Sequence, residues 1–164
     1  MSDNLAADLV VGCIADIDID LLIERGIAGV IVDMDNTLAP WRSTEVPPSH
    51  IDWVHNAKSR GLKVCILSNA GSDGRVRPAA EMLGISFITK ACKPLAVGFK
   101  RAARMMNLPI EKIAIAGDQV FTDIWGGNRL GMFTILTTPL SKREAVITLV
   151  LQRPLERLLG RRQK

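Results

Sequence analysis

The sequence predicts an α/β fold in three layers, with a parallel five-stranded sheet between two sets of helices. Short β-branched runs alternate with longer stretches of helical period, as in chains built from βαβ units. The helical stretches are bounded by capping residues before them and by glycine or proline after them. The most informative strand, Gly29-Val30-Ile31-Val32, is apolar and runs straight into two carboxylates.

Taken in order, an amphipathic segment comes first, with Asp18 or Asp20 as its cap and Gly26 as its stop. Strands follow over residues 29–33, 63–68, 86–88, 113–117 and 132–136. Between the first two lies a helix over 50–60, introduced by Pro47-Pro48-Ser49 and ended by Gly61. The next helix spans 73–83 and stops at Gly84, and Pro78 inside it leaves its first turn open. Pro94 takes the first position of a helix that runs to 107, and a fourth helix spans 122–130 before Gly131. Ser141 caps a helix that Pro154 breaks, so residues 141–164 read as a basic amphipathic helical tail on a single domain covering 1–164. The whole is Rossmann-like in its connections.

Composition narrows the class. A chain of 164 residues supports one compact core, and 48% hydrophobic content with positive mean hydropathy supplies it. The longest apolar run, 145–151, is interrupted by Thr148 and falls far short of the ~18 to 20 residues that span a bilayer. The opening Met1-Ser2-Asp3-Asn4 carries an acid where a secretory signal carries bases, and Cys13, Cys65 and Cys92 have no metal-like spacing. A cytoplasmic protein is expected, and Cys65 reads as a small buried hydrophobe. The net charge of +4 is local: residues 142–164 hold seven bases against Glu144 and Glu156, so the rest of the chain sums to −1. No nucleic-acid-binding face is expected of the core.

Asp33 and Asp35 admit two readings. Aspartates initiate turns and cap helices, yet carboxylates at the end of a central parallel strand also sit where open α/β sheets bind ligands. There they can hold a hard cation or supply a nucleophile. The other strand ends bear on the choice. Ser68 and Asn69 follow the second strand, Lys93-Pro94 the third, and Asp118, Thr122 and Asp123 the fourth. Singly, these are a turn, a solvated lysine, helix caps and an N-terminal acid. Four independent turns would have no reason to place acids, hydroxyl and lysine in this order.

In that order, Asp33-Met34-Asp35-Asn36-Thr37-Leu38, Leu67-Ser68-Asn69, Lys93-Pro94 and Gly117-Asp118-Gln119-Val120-Phe121-Thr122-Asp123 resemble the four motifs of the haloacid dehalogenase (HAD) superfamily of phosphatases. The resemblance covers residues 29–136 and implies a HAD-like sheet and a phosphorylated substrate. It makes Asp33 the nucleophile of an aspartyl-phosphate and Asp35 an acid and then a base. Mg²⁺ and Lys93 would neutralise the transferring oxygens. Asp33 and Asp118 would ligate the metal by their side chains and Asp35 by its backbone carbonyl. Asp123 would reach the ion through water or orient its ligands. Thr37, Ser68, Asn69 and Lys93 would bind the phosphate.

Specificity in this superfamily usually comes from an inserted cap, and here none fits. Thirty residues separate Thr37 from Ser68 and 24 separate Ser68 from Lys93, each enough for a crossover only. An open site suits a phosphate carried on something large. In the tail, Leu149, Val150, Leu155, Leu158 and Leu159 interleave with Arg153, Arg157, Arg161 and Arg162, a pattern that either closes the core or lies on an anionic membrane. Asp16-Ile17-Asp18, Leu22, Gly26-Ile27 and Trp41 extend the resemblance to the YqeG-like group of HAD subfamily IIIA. That group is related to phosphatidylglycerophosphate phosphatases, which implies a lipid-borne substrate and a peripheral place on the inner face of the membrane. Trp41 lines the entrance or packs in the core, and Arg42, Arg75 or Arg77 would contact an anionic headgroup. A soluble phosphatase for nucleotides, sugars or phosphoprotein, and an idle scaffold docking a partner through its tail, are the alternatives.

Overall fold

Successive residues of a strand point to opposite faces of its sheet, and here both faces are covered. Val30 and Val32 of strand β2 (Gly29–Val32) pack with Val64 and Ile66 of β3 (Lys63–Leu67) and with Ala114 and Ala116 of β5 (Ile113–Gly117). That cluster is closed by helices α1 (Ile19–Glu24), α2 (Pro48–Ser59) and α3 (Val76–Leu83), through Leu22, Trp53, Val54, Ala80 and Leu83. The intervening Ile31, Cys65, Leu67, Ile113 and Ile115 face the other way, onto Phe99, Ala102 and Met106 of α4 (Ala96–Met106). Cys65 is thus the buried hydrophobe expected of it.

The structure is a computed structural model that describes residues 4–141. The tail helices expected after Ser141 lie outside the described residues. With β4 (Ser86–Ile88) and β6 (Phe133–Thr137), the expected strands are all present and all parallel. A sixth, β1 (Leu9–Val11), joins the edge, giving the order β1-β6-β5-β2-β3-β4. Three residues carry too little alternation to be read as a strand, and Val10 at its centre is 68% exposed. What holds β1 in place is remote in sequence: the Asp8 carboxylate accepts the Thr134 N–H at 2.8 Å and the Thr134 hydroxyl at 3.0 Å.

Helix ends sharpen the expected boundaries. Asp18, rather than Asp20, caps α1, its carboxylate accepting the N–H groups of Asp20 and Leu21. Helix α3 starts at Val76, which leaves Pro78 inside the first turn, where its missing N–H costs no hydrogen bond. Pro94 does not open α4: the Lys93-Pro94 bond is cis and the helix begins at Ala96. The expected 122–130 helix is a five-residue π-helical turn, Val120–Ile124, followed by α5 (Trp125–Asn128). Each of the crossovers from β2 to β3 and from β3 to β4 contains one helix, so no cap is inserted. Among the described residues, no helix is long and apolar enough to cross a membrane.

One contact ties α4 to the turn that carries Lys93. A Cβ on Gly98 would sit 2.4 Å from the Ala91 carbonyl oxygen, so only glycine allows this approach. Gly98→Ala is expected to destabilise the fold by about 1 to 3 kcal/mol, as overpacking does. Urea unfolding checks it, and an unchanged midpoint would mean that the turn yields freely.

Candidate active site

Register brings the functional residues level. Val32 pairs with Ile66 on one side and with Ala116 on the other. The next residues, Asp33, Leu67 and Gly117, therefore reach the carboxyl edge together, with Ser68 and Asp118 one step beyond. The Asp33 N–H donates to the Ala116 carbonyl at 2.9 Å and fixes the first of them. Lys93 arrives from the turn after β4, held by the Asn69 amide: the Lys93 N–H donates to Asn69 Oδ1 at 2.8 Å, and Asn69 Nδ2 donates to the Lys93 carbonyl at 3.1 Å.

The Lys93 ammonium is buried between two acids. Nζ donates to Asp33 Oδ1 at 2.5 Å and to Asp123 Oδ1 at 2.7 Å. Asp123, from the π-helical turn, also accepts the Gln119 N–H through Oδ2 at 3.2 Å. It fits only because residue 117 has no side chain, since a Cβ there would lie 2.2 Å from that same Oδ2. Asp118 completes the group and accepts the Thr37 hydroxyl at 3.4 Å.

Asp33, Asp118 and Asp123 each present a carboxylate oxygen, and the three lie within 4.8 Å of one another. Fully ionised, they would leave two negative charges beyond what Lys93 neutralises. Burial raises the Asp33 carboxyl to about 7, with Lys93 pulling it down and Asp123 pushing it up. Burial, followed by the charges of Asp33 and Asp123, raises Asp118 to about 8. For Lys93, burial opposes the charge, but Asp123 and Asp33 outweigh it and hold the ammonium above its usual range. An all-oxygen set with two surplus charges suits a hard divalent cation.

The remaining expected residues surround a cleft of about 260 Å³ lined by Asp33, Asp35, Ser68, Asn69, Lys93 and Thr122, among others. Ser68 accepts the Ala70 N–H at 3.0 Å, which leaves its own proton available to donate. Asn69 lines the cleft, but its amide is already engaged with the Lys93 backbone. Trp41 lines the entrance and is 42% exposed, which decides between its two readings. Arg42 and Arg75 also line the cleft; Arg77 instead pairs with Asp73 at 2.6 Å. Asp35 stands apart from the acidic group. Its carboxylate takes a two-pronged bond from Arg75, at 2.6 and 3.1 Å, and a third from the Arg42 N–H at 3.1 Å.

Two contributions were not legible as functional in the sequence. Gly117 stood in the fourth motif, where a glycine ending a buried strand just before an acid is a signal of close approach. The clamp of Arg75 on Asp35 links residues 40 positions apart and left no signal.

A haloacid dehalogenase-like hydrolase family model matches residues 41–131, more than half of the chain. The chain belongs to that family. A probable phosphatase of Bacillus subtilis, YqeG, is 44% identical over 125 residues, covering 76% of this chain and 72% of that one. The chloroplastic and mitochondrial phosphatidylglycerophosphate phosphatase 1 of Arabidopsis thaliana is 29% identical over 136 residues, covering 78% of this chain but 39% of that longer protein. The cobalt-bound deoxy-D-mannose-octulosonate 8-phosphate phosphatase of Haemophilus influenzae shares the fold, with a TM-score of 0.54 at 17% identity over 78% of this chain and 89% of that one. Within its family the chain is thus a phosphatase, a hydrolase of phosphoric monoesters, similar to YqeG.

The raised carboxyls set a pH dependence. A folded-state value above the unfolded one gives stability that is present at low pH and lost as pH rises through the folded value. The metal-free protein should therefore lose stability as pH rises from about 4 to about 8, with Asp33 and Asp118 both contributing. Stabilisation by added Mg²⁺ should grow over the same window. Asp118→Asn should make the metal-free slope shallower in melts across this range, and an unchanged slope would remove Asp118 from the account.

Proposed function

We propose that this phosphatase removes the terminal phosphate of phosphatidylglycerophosphate, working through an aspartyl-phosphate on Asp33. The observation that carries the chemistry is the buried Lys93 ammonium set between Asp33 and Asp123 at the carboxyl edge of the sheet. An Asp33 oxygen attacks the phosphorus while the bond to the leaving glycerol oxygen breaks and Asp35 gives that oxygen a proton. Water then attacks the same phosphorus, Asp35 takes a proton back, and inorganic phosphate leaves with Asp33 restored. Lys93 and the Ser68 hydroxyl balance the charge spread over the transferring oxygens. Asp33 and Asp118, with Asp123 beside them and the Asp35 backbone carbonyl, would hold Mg²⁺, which when bound adds positive charge at those oxygens.

Two features support the lipid as substrate. Among the described residues no cap is inserted beside the cleft, which suits a headgroup standing on a bilayer. The similarity to the phosphatidylglycerophosphate phosphatase of Arabidopsis points to the same headgroup. In this reading the protein is cytoplasmic and peripheral on the inner face of the membrane, with the basic residues of 142–164 drawn to anionic lipid, and its product is phosphatidylglycerol for phospholipid synthesis.

Asp33→Asn should reduce Mg²⁺-dependent release of phosphate to background while leaving the circular dichroism spectrum unchanged. Retained turnover in a folded variant would refute the nucleophile. Vesicles bearing phosphatidylglycerophosphate, assayed beside nucleotide, sugar and peptide phosphates, test the substrate. The lipid should be turned over fastest, and equal or better turnover of a soluble phosphate would sink that assignment.

A further inference from the structure

The bridge between Arg75 and Asp35 conflicts with the role proposed for Asp35. An acid and base for the leaving oxygen must bring its carboxylate to that oxygen. Here both carboxylate oxygens are held, Oδ1 by Arg75 Nη1 and Oδ2 by Arg75 Nη2, and the Arg42 N–H adds a third donor to Oδ1. The clamp lies in the cleft wall: the Arg75 side chain is 32% exposed and that of Asp35 15%. A guanidinium fork holding two oxygens of one anion is also the geometry that recognises a phosphate.

The surroundings of Arg75 favour an incoming anion. It is the residue that precedes α3, a helix of eight residues with no acid in its first turn and no side chain capping its N–H groups. Arg77, two residues on, is committed to Asp73 and lies over the Phe87 ring, so it does not compete. Arg42 lines the same wall, and its guanidinium rests over Trp41 rather than on a carboxylate among the described residues. The cleft therefore has two cationic regions. Lys93 sits among the acids, where the scissile phosphate is hydrolysed, while Arg75 and Arg42 stand by Asp35, where the leaving group departs.

We infer that Arg75 is the receptor for a second anion of the substrate, a phosphodiester carried on the leaving alcohol, and that this anion takes the place of the Asp35 carboxylate in the guanidinium fork. Arg75 stays paired throughout the exchange, and Asp35 is freed to meet the leaving oxygen. Acid and base are thus released by the arrival of the correct leaving group, so a phosphomonoester without a second anion leaves Asp35 clamped. The inference rests on the phosphatase reading of Asp33 and Asp35, and it gives the lipid reading a headgroup contact that needs no acyl chain.

Steady-state kinetics of the full chain with Mg²⁺ on three soluble probes test it: p-nitrophenyl phosphate, glycerol 3-phosphate, and the deacylated headgroup, a glycerol phosphate joined to a second glycerol through a phosphodiester. Wild type should favour the deacylated headgroup. Arg75→Ala should lower kcat/KM on that probe by about 10- to 100-fold, mainly through KM, the range expected for losing one charged hydrogen-bonded contact. On glycerol 3-phosphate, which cannot open the clamp, kcat should instead rise, because the variant no longer holds the Asp35 carboxylate. Arg75→Lys, which keeps the charge without the fork, should recover part of the loss and serves if the alanine variant does not fold. An equal fall in kcat on both glycerol phosphates would show Arg75 merely supporting Asp35 and would overturn the inference. So would a wild type that does not distinguish the two, in which case the lipid reading stands or falls on the vesicle assay alone.

Discussion

Everything at this site depends on one buried cation. The Lys93 ammonium has almost no access to water, so it must be balanced where it lies, and Asp33 and Asp123 do so together. Taking Lys93 away would strand its acids in an apolar surrounding, and leaving a buried charge without its partner costs about 3 to 5 kcal/mol. The three residues come from three separate connections: the end of β2, the turn after β4 and the π-helical turn after β5. A parallel sheet with β2 at its centre is what lets those connections converge, because every strand delivers its carboxyl end to the same edge.

The same burial explains why the acids are poised. Desolvation is the largest influence on both Asp33 and Asp118, and it comes from the core directly behind them, where Val32, Ala116 and Leu67 are inaccessible. Lys93 offsets one carboxylate of three. The surplus makes the metal-free site reluctant to ionise and suits it to a divalent cation. Backbone economy completes the arrangement. A missing side chain at Gly117 admits Asp123, and the Asn69 amide holds the Lys93 main chain by both of its polar groups.

In the proposed reading, catalytic power and substrate choice reside in different walls of the cleft. There the wall of Lys93, Asp33, Asp118 and Asp123 would serve any phosphoric monoester. The wall of Asp35, Arg75, Arg42 and Trp41 lines the same cleft and would meet the part of the substrate that differs between enzymes. With no cap inserted in either crossover among the described residues, discrimination would fall to these few side chains.

Legibility followed the range of the physics. Continuous apolar runs such as Val30-Ile31-Val32 and Ile113-Ala114-Ile115, and stops such as Gly61 and Gly84, are local, so the central strands and crossovers could be read with boundary errors of a few residues. Asp33, Ser68, Lys93 and Asp118 could be read because each stands at a strand end or turn whose position the local pattern already marks. Three features could not be. Strand β1 is held by a contact between Asp8 and Thr134 across the chain, the start of α4 is displaced past the Lys93-Pro94 turn, and Asp35 is held by Arg75. By itself the sequence determined the α/β class and the identity of the chemical groups, because propensity and apolar period act over a few residues. Which oxygen each group faces, and therefore that Asp123 shares Lys93 while Asp35 is held by Arg75, was decided only by tertiary structure, since a side chain's charge is balanced by whichever partner the fold brings within hydrogen-bonding distance.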